Sequence, residues 1–453
     1  MERAWAVAAR NLRRNRRRNL ATALAVAFGF AGLVLIGCYG NRVEQFLRTN
    51  AVYLQHSGHV TVFLENGLHK ASAEPEKFQL KPAAQQKILA WAAQDRRVEF
   101  AARYLRGVGL AGNGCGTHPT RLLGIEPSAL QRILHHSEVA KWSDEIARPV
   151  KGRWMDAYPS LPQAVAVSEG LSLLLQKPRV HDEAVGLPPA PLILHCDTDQ
   201  RVDELGRDAN VQLAAITYDG SLNAVDAEMV ATFHPSETLG EDGTMYTSLA
   251  MLQTLFATDQ ATYVGLFLHN EKDAQAVARD LTAALAKDGL AVEALPYHDE
   301  RSKPYYVGTM AFLGAVAGFI TLLVELVLAL TVLGAMTLTI LERTREIGTW
   351  RALGFTRGQV TALIVREALI LSLLGLCVGL LLGLLASLAI NASGIRFAPP
   401  GVPGTIPLII VPAAWICALQ AAIVIPGLGL AAWIVVRAQV KRNLVDLLTS
   451  QTG

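Results

Sequence analysis

Four long apolar runs constrain this chain more than any other feature of it. Leu20 to Gly40, Ala368 to Ile390 and Ile406 to Val436 carry no charged residue, and Gly308 to Leu341 carries only Glu325. Each reaches the ~20 residues with which a helix crosses the hydrocarbon core of a bilayer. The chain is 51% hydrophobic and 18% charged, and the apolar excess sits in these blocks, which excludes a purely soluble fold. The expected fold class is membrane α-helical, with four transmembrane helices and a large inserted α+β extracytoplasmic domain. A net charge of +2 gives no basis for nucleic-acid binding.

Basic residues set the orientation. Arg13, Arg14, Arg16, Arg17 and Arg18 border the first block, Arg343, Arg345, Arg351, Arg357 and Arg366 separate the second from the third, and Arg437, Lys441 and Arg442 follow the fourth. The loop from Asn391 to Thr405 holds only Arg396. Because Lys and Arg stay on the cytoplasmic side, both termini are expected inside and the long middle stretch outside. The segments are then a basic N-terminus (1–19), spans at 20–40, 306–341, 368–390 and 406–436, an outer domain (41–305), a cytoplasmic loop (342–367), a short outer loop (391–405) and a cytoplasmic tail (437–453). Trp5, Val7 and Leu12 among arginines fit an amphipathic helix on the inner surface. Leu35-Ile36-Gly37-Cys38 has the form of a lipoprotein cleavage box, but the apolar run is long for a signal core, so an uncleaved anchor is expected.

Small residues mark where helices approach. Gly375, Gly379, Gly383 and Ser387 form a stripe at every fourth position of the third span, and Ala21, Ala25 and Gly29 a shorter one in the first. Pro426 is expected to kink the fourth span. The second block is longer than a bilayer needs; counting outward from its cytoplasmic end puts Glu325 near the outer edge of the core, either on a polar pathway or facing water. Val43, Phe46, Leu47 and Leu54 continue a helical pattern past the first span, so two helices are expected to leave the membrane as a stalk.

The outer stretch reads as mixed α and β. Strands are expected at Gly58–Glu65, Phe100–Leu110, Arg121–Ile125, Leu192–Cys196, Gln212–Thr217, Thr262–Leu268 and Ala291–Leu295, and helices at Pro82–Gln94 and Asp273–Ala286. Of five cysteines, Cys38, Cys377 and Cys417 lie in apolar blocks; Cys115 and Cys196 are too far apart in sequence to define a disulfide framework, although an oxidising compartment would let them pair. No catalytic or metal site is expected. The glycine-rich 107–116 run lacks the Gly-Lys-Ser/Thr ending of a phosphate loop, Ser168 lacks the glycines of a nucleophile elbow, and the eleven histidines match no ligand spacing.

The strongest local signal is Glu342-Arg343-Thr344-Arg345-Glu346-Ile347-Gly348-Thr349-Trp350-Arg351-Ala352-Leu353-Gly354. Its acidic and basic residues interleave at helical pairing distance, Ile347, Trp350 and Leu353 form an apolar edge, and Gly354 is a helix stop. Thr356 and Gln359 then form a capping box, with Phe355 and Val360 as a staple. A short helix between two spans is a lever for whatever grips it.

This motif resembles that of the MacB/FtsX/LolC-type ABC transporter permeases, which read Glu-Arg-x-Arg-Glu-Ile-Gly-x-x-Arg-Ala-Leu-Gly. Arg366-Glu367-Ala368 with Gly375 and Gly379, Phe397-Ala398-Pro399-Pro400-Gly401 and Arg437 through Leu448 are similar to later parts of the family pattern. Arg121 through Pro127, Gly152-Arg153 and Val165-Ala166-Val167 are similar to its periplasmic core domain. The resemblance implies a bacterial inner-membrane permease subunit that is not itself an enzyme. It implies a second permease copy or paralogue, two copies of a separate ATPase subunit that bind ATP and Mg, and an adaptor, carrier or hydrolase on the periplasmic side. Glu342, Arg343, Arg345, Glu346, Ile347, Gly348, Trp350, Arg351, Leu353 and Gly354 would couple to the ATPase. The cargo would be hydrophobic: a lipoprotein, lipid, peptide or drug. The alternative is a mechanotransmitter that transports nothing and passes force to a partner such as a cell-wall hydrolase.

Overall fold

Three of the apolar blocks lie inside helices longer than themselves. The computed structural model describes residues 16–142, 148–188, 190–191, 194–198, 201–234, 243–397 and 405–440. The principal helices are α1 (Arg16–Thr49), α2 (Pro82–Gln94), α3 (Pro127–Leu134), α4 (Leu249–Phe256), α5 (Ala274–Lys287), α6 (Pro304–Glu342), α7 (Thr344–Ala352), α8 (Arg357–Ala392) and α9 (Ala414–Val440). The strands are β1 (Val60–Leu64), β2 (Val98–Gly112), β3 (Thr117–Ile125), β4 (Lys151–Gly152), β5 (Ala164–Ser168), β6 (Asn210–Ile216), β7 (Leu222–Phe233), β8 (Thr244–Ser248), β9 (Tyr263–Leu268), β10 (Val292–Pro296), β11 (Arg396–Phe397) and β12 (Ile406–Pro407). Trp5, Val7, Leu12, Arg13, Arg14, Ala398–Gly401, Lys441, Arg442 and the tail through Leu448 lie outside the described residues. The protein therefore has four long apolar helices, α1, α6, α8 and α9, and a large α+β domain between the first and second of them.

The chain divides into two units. One comprises Met1–Glu44, Met310–Ile395 and Leu408–Gly453. Its core joins Val26, Phe30, Leu33 and Val34 of α1, Leu328, Val332, Met336 and Ile340 of α6, Val360, Ile364 and Leu371 of α8, and Val424, Leu428 and Val436 of α9. The glycine stripe of α8 lies on α1. A Cβ added at Gly375 would come within 2.8 Å of the Val26 side chain, and one at Gly379 within 2.5 Å of the Ala27 carbonyl oxygen. Gly383 faces Ala31 and Val34 at ordinary contact distance, and Ser387 is buried with its hydroxyl on the Leu384 carbonyl. The face of α1 that receives the stripe is Ala23, Val26, Ala27 and Ala31 rather than Ala21, Ala25 and Gly29; Ala21 is exposed and Gly29 receives Leu328 of α6.

Two sequence expectations about the apolar blocks need correction. The fourth apolar block does not begin its helix at residue 406. Ile406–Pro407 pairs with Arg396–Phe397 as a short antiparallel ribbon, and α9 starts only at Ala414. Pro407 and Pro412 lack the N–H that a helix interior needs, so the helix can form only after them. Glu325, expected near the outer edge of the core on a polar pathway or facing water, has its carboxyl oxygens buried and does not face water. Its carboxyl lies against Gly427, halfway along α9, and Leu328, one turn on, fills the notch at Gly29, near the centre of the first apolar block.

The other unit comprises Gln45–Thr309 and Arg396–Pro407. Six of its strands close a barrel: β2 pairs with β3, β3 with β8, β8 with β5, β5 with β7, β7 with β6, and β6 returns to β2. The β3–β8 and β5–β7 pairs are parallel and the others antiparallel. The barrel interior holds Leu105, Leu122, Val165, Val167, Leu213, Met229, Met245 and Phe256. The first half of the 15-residue β2 leaves the barrel and pairs with β9, continuing through β1 to β10. α2 and α5 cover this second sheet, burying Ile88, Val277, Leu281 and Leu285 against Val60, Val62 and Val264. The glycine-rich run is thereby explained without a ligand. A side chain at Gly107 would strike the Phe256 ring at 2.2 Å, so glycine there admits the ring of α4 to the barrel wall.

Residues 194–196 form no strand, and Leu192 and Ile193 lie outside the described residues. The His195 N–H and Nδ1 bond the Glu204 carboxylate at 2.8 Å each, so a side chain takes the place of a ladder partner. Cys196 is joined to Cys115 in the β2–β3 turn, with Cα atoms 5.4 Å apart and a sequence separation of 81. A crosslink closing so long a loop is worth roughly 2–4 kcal/mol and is at home in an oxidising compartment. Cys115→Ser with Cys196→Ser should destabilise the outer domain by about that much, read as a lower urea midpoint; an unchanged midpoint would exclude the crosslink.

Candidate functional site

The segment between α6 and α8 is built by three local rules. α6 runs to Glu342, and Arg343 leaves helical geometry (φ −106°, ψ 15°), which starts the separate α7. α7 ends at Ala352, and Gly354, just past its cap, has a φ of +97°, the left-handed conformation that glycine adopts without strain. Thr356 and Gln359 then exchange side chain to backbone bonds, Gln359 N–H to Thr356 Oγ1 at 3.2 Å and Thr356 N–H to Gln359 Oε1 at 2.9 Å, and α8 begins.

Arg343 fastens the turn. Its Nε donates to Glu346 at 2.9 Å, its NH1 donates to Glu367 at 3.0 Å, and its guanidinium carbon lies 5.8 Å from the centre of the Trp350 ring. Glu367 is buried on α8, so α7 is tied across the turn to the following span by charge-assisted bonds in a largely dry setting. Glu367 was legible only as part of a quoted triplet; a carboxylate one helical stretch from the motif gives no sign in the sequence of its partner.

The apolar edge does not all face outward. Ile347 is only 2% exposed and belongs to the core of α6, α8 and α9, Gly348 is buried beside it, and Trp350 packs half-buried on the same core. Leu353 is 73% exposed and Phe355 51%. Ile347 and Gly348 are therefore not surface contacts, because helical phase turns them inward while Leu353, at the end of the helix, points away. Glu342 and Arg345 are exposed, and Arg351 is partly so. Beside this segment, Arg357, Thr361, Val365 and Arg366 of α8 and Trp433 and Arg437 of α9 line a cleft of about 550 Å³.

The outer domain holds a larger cavity, of about 910 Å³, lined by Val108, Leu110, Leu122, Ile216, Leu222 and Phe256 with Arg106 and Arg121 among them. His59 of the outer domain is structural: its Nδ1 accepts the Leu268 N–H at 3.0 Å, and burial pushes its pKa down to about 3, so the ring is neutral at neutral pH.

Residues 307–443 match the FtsX-like permease C-terminal family. Over 142 residues the chain is 29% identical to an uncharacterized ABC transporter permease, YknZ, of Bacillus subtilis (strain 168), an alignment that takes in 31% of this chain and 35% of the relative. The chain thus spans about a third of the length of that curated relative. Two solved structures are similar at low identity. One is the extracellular domain of the noncanonic ABC-type transporter YknZ from Gram-positive bacteria (TM-score 0.30, 13% identity, 52% of this chain and 98% of that one). The other is the periplasmic region of MacB from Actinobacillus actinomycetemcomitans (TM-score 0.32, 10% identity, 54% of this chain and 92% of that one). The stretch from α6 through α9, with the fastened turn inside it, is thus the part of the chain that is similar to FtsX-like permease C-terminal domains.

Proposed function

We propose that this chain is the permease subunit of an ABC transporter of the MacB/LolC/FtsX type. It pairs with a second permease chain and depends on two separate ATPase subunits, which bind ATP and Mg. The observation that carries this reading is the α7 turn: a short helix tied to a span by Arg343 and Glu367, offering Leu353 and Phe355 to a partner below the membrane. Hydrolysis-driven movement of the ATPases pulls this turn and so moves α6 and α8. The large apolar-walled cavity of the outer domain supports a hydrophobic cargo handled outside the bilayer.

An aromatic anchor buried at an interface, the part Phe355 would play, can cost ~2 kcal/mol or more when removed, a loss of roughly 30-fold in affinity. Leu353→Asp with Phe355→Asp should abolish copurification of an ATPase from native membranes while the spans insert normally. Ile347→Asp should instead destabilise the permease itself, because it places a charge in the core. Wild-type recovery of ATPase with the Leu353, Phe355 double variant would overturn the docking surface.

A further inference from the structure

Glu325 is the one charged residue in the four apolar blocks, and the structure places it where its charge has nothing to meet. The titratable side chains that the other three blocks contribute are Cys38, Tyr39, Cys377 and Cys417, none of them a cation. On the face of α9 the carboxyl fills the notch left by a glycine: a Cβ added at Gly427 would fall 1.7 Å from Oε1. Both carboxyl oxygens are buried and have no hydrogen-bond partner among the described residues. Three residues further along α6, Leu328 occupies the corresponding notch at Gly29 of α1, within 2.7 Å of an added Cβ. The carboxyl is therefore held between packed helices at mid-span.

An ionised carboxylate in that position would lack water, a cation and a donor at once, and desolvation alone costs several kcal/mol. A neutral acid avoids the charge and can donate its own O–H. We infer that Glu325 is a proton-binding site buried in the membrane, occupied by one proton when α6 lies on α9. The binding step is the simple association of a carboxylate with a proton from water, and its reversal requires water at the Gly427 notch. Lifting α6 from α9 admits that water and releases the proton. This inference stands on the packing of the spans and does not depend on which partner drives them.

The test uses the full chain in native-lipid membranes. The infrared spectrum at pH 8 should contain the carbonyl stretch of a neutral carboxylic acid, and the difference from Glu325→Gln should remove it. Dicyclohexylcarbodiimide, which partitions into lipid and reacts with neutral acids, should label the peptide containing Glu325, whereas a water-soluble carbodiimide should not. Gly427→Ala, which evicts the carboxyl from its notch, should raise the labelling rate several-fold. If the difference spectrum shows carboxylate bands at pH 8, Glu325 is ionised and the inference fails. It also fails if the lipid-soluble reagent labels neither the wild type nor Gly427→Ala, or if the water-soluble reagent labels Glu325 equally well.

Discussion

Glu367→Leu alone and Arg343→Met alone are each expected to cost about 3–5 kcal/mol, whereas the double variant should recover most of the loss. The reason lies in what each single change leaves behind. Glu367 is 4% exposed and Arg343 is mostly enclosed, so removing Arg343 takes a charge-assisted bond from a buried carboxylate, and removing Glu367 leaves the enclosed guanidinium with Glu346 as its ion-pair partner. Removing both replaces the pair with apolar groups of similar bulk, which is often close to neutral. Glu346 is more exposed and contributes less, so Glu346→Gln should be mild. Thermal unfolding in detergent reads the stability part. ATP turnover in the assembled complex reads the mechanical part, and there the double variant should stay impaired, because α7 is no longer tied to α8. A double variant as unstable as either single would show that the ion pair is not what fastens the turn.

Gly379→Leu is expected to separate α1 from α8. A side chain at that position meets the Ala27 backbone, at 2.5 Å from its carbonyl oxygen and 3.0 Å from its Cα, and backbone cannot swing aside as a side chain can. Forcing bulk into such a contact costs about 1–3 kcal/mol, and in a bilayer no hydrophobic gain between the helices offsets it. The control lies one turn away. An added Cβ at Gly383 reaches its nearest atom at 3.5 Å, an ordinary contact, so Gly383→Ala should be nearly silent. Melting temperatures and protease resistance of the three chains in detergent give the comparison. Equal behaviour of Gly379→Leu and wild type would mean the two helices do not touch there.

Much of the architecture was legible because single residues with strong local physics announced it. Pro82 opens α2 at its first position, Thr356 and Gln359 start α8, and runs without charge gave the long helices. What was not legible depended on partners distant in sequence. The first half of β7 intersperses Asn223, Asp226 and Glu228 among apolar residues, so no apolar run marked it, although it completes the barrel through β5 and β6. Cys115 and Cys196 could be read as able to pair in an oxidising compartment, but their spacing gave no sign that the fold brings them together. Ile347 and Leu353 read alike as an apolar edge, and only the packing of α7 on the spans distinguishes the core residue from the surface one. Glu325 could be counted along its own helix, but its depth is defined by the neighbours it meets.

The position of β1 has a bearing on how the outer domain is made. β1 lies between β9 and β10, so both of its hydrogen-bonded neighbours come from residues 263–296, at the far end of the domain. During synthesis β1 crosses the membrane early, just behind the α1 anchor, and must wait with both edges open until nearly the whole domain has been delivered. Pairings of such long range are slow to form, and open strand edges invite association with other chains. The emergence of β10 and the entry of α6 into the bilayer are only a few residues apart, so completion of the outer sheet and insertion of the second span fall at nearly the same moment in the life of the nascent chain.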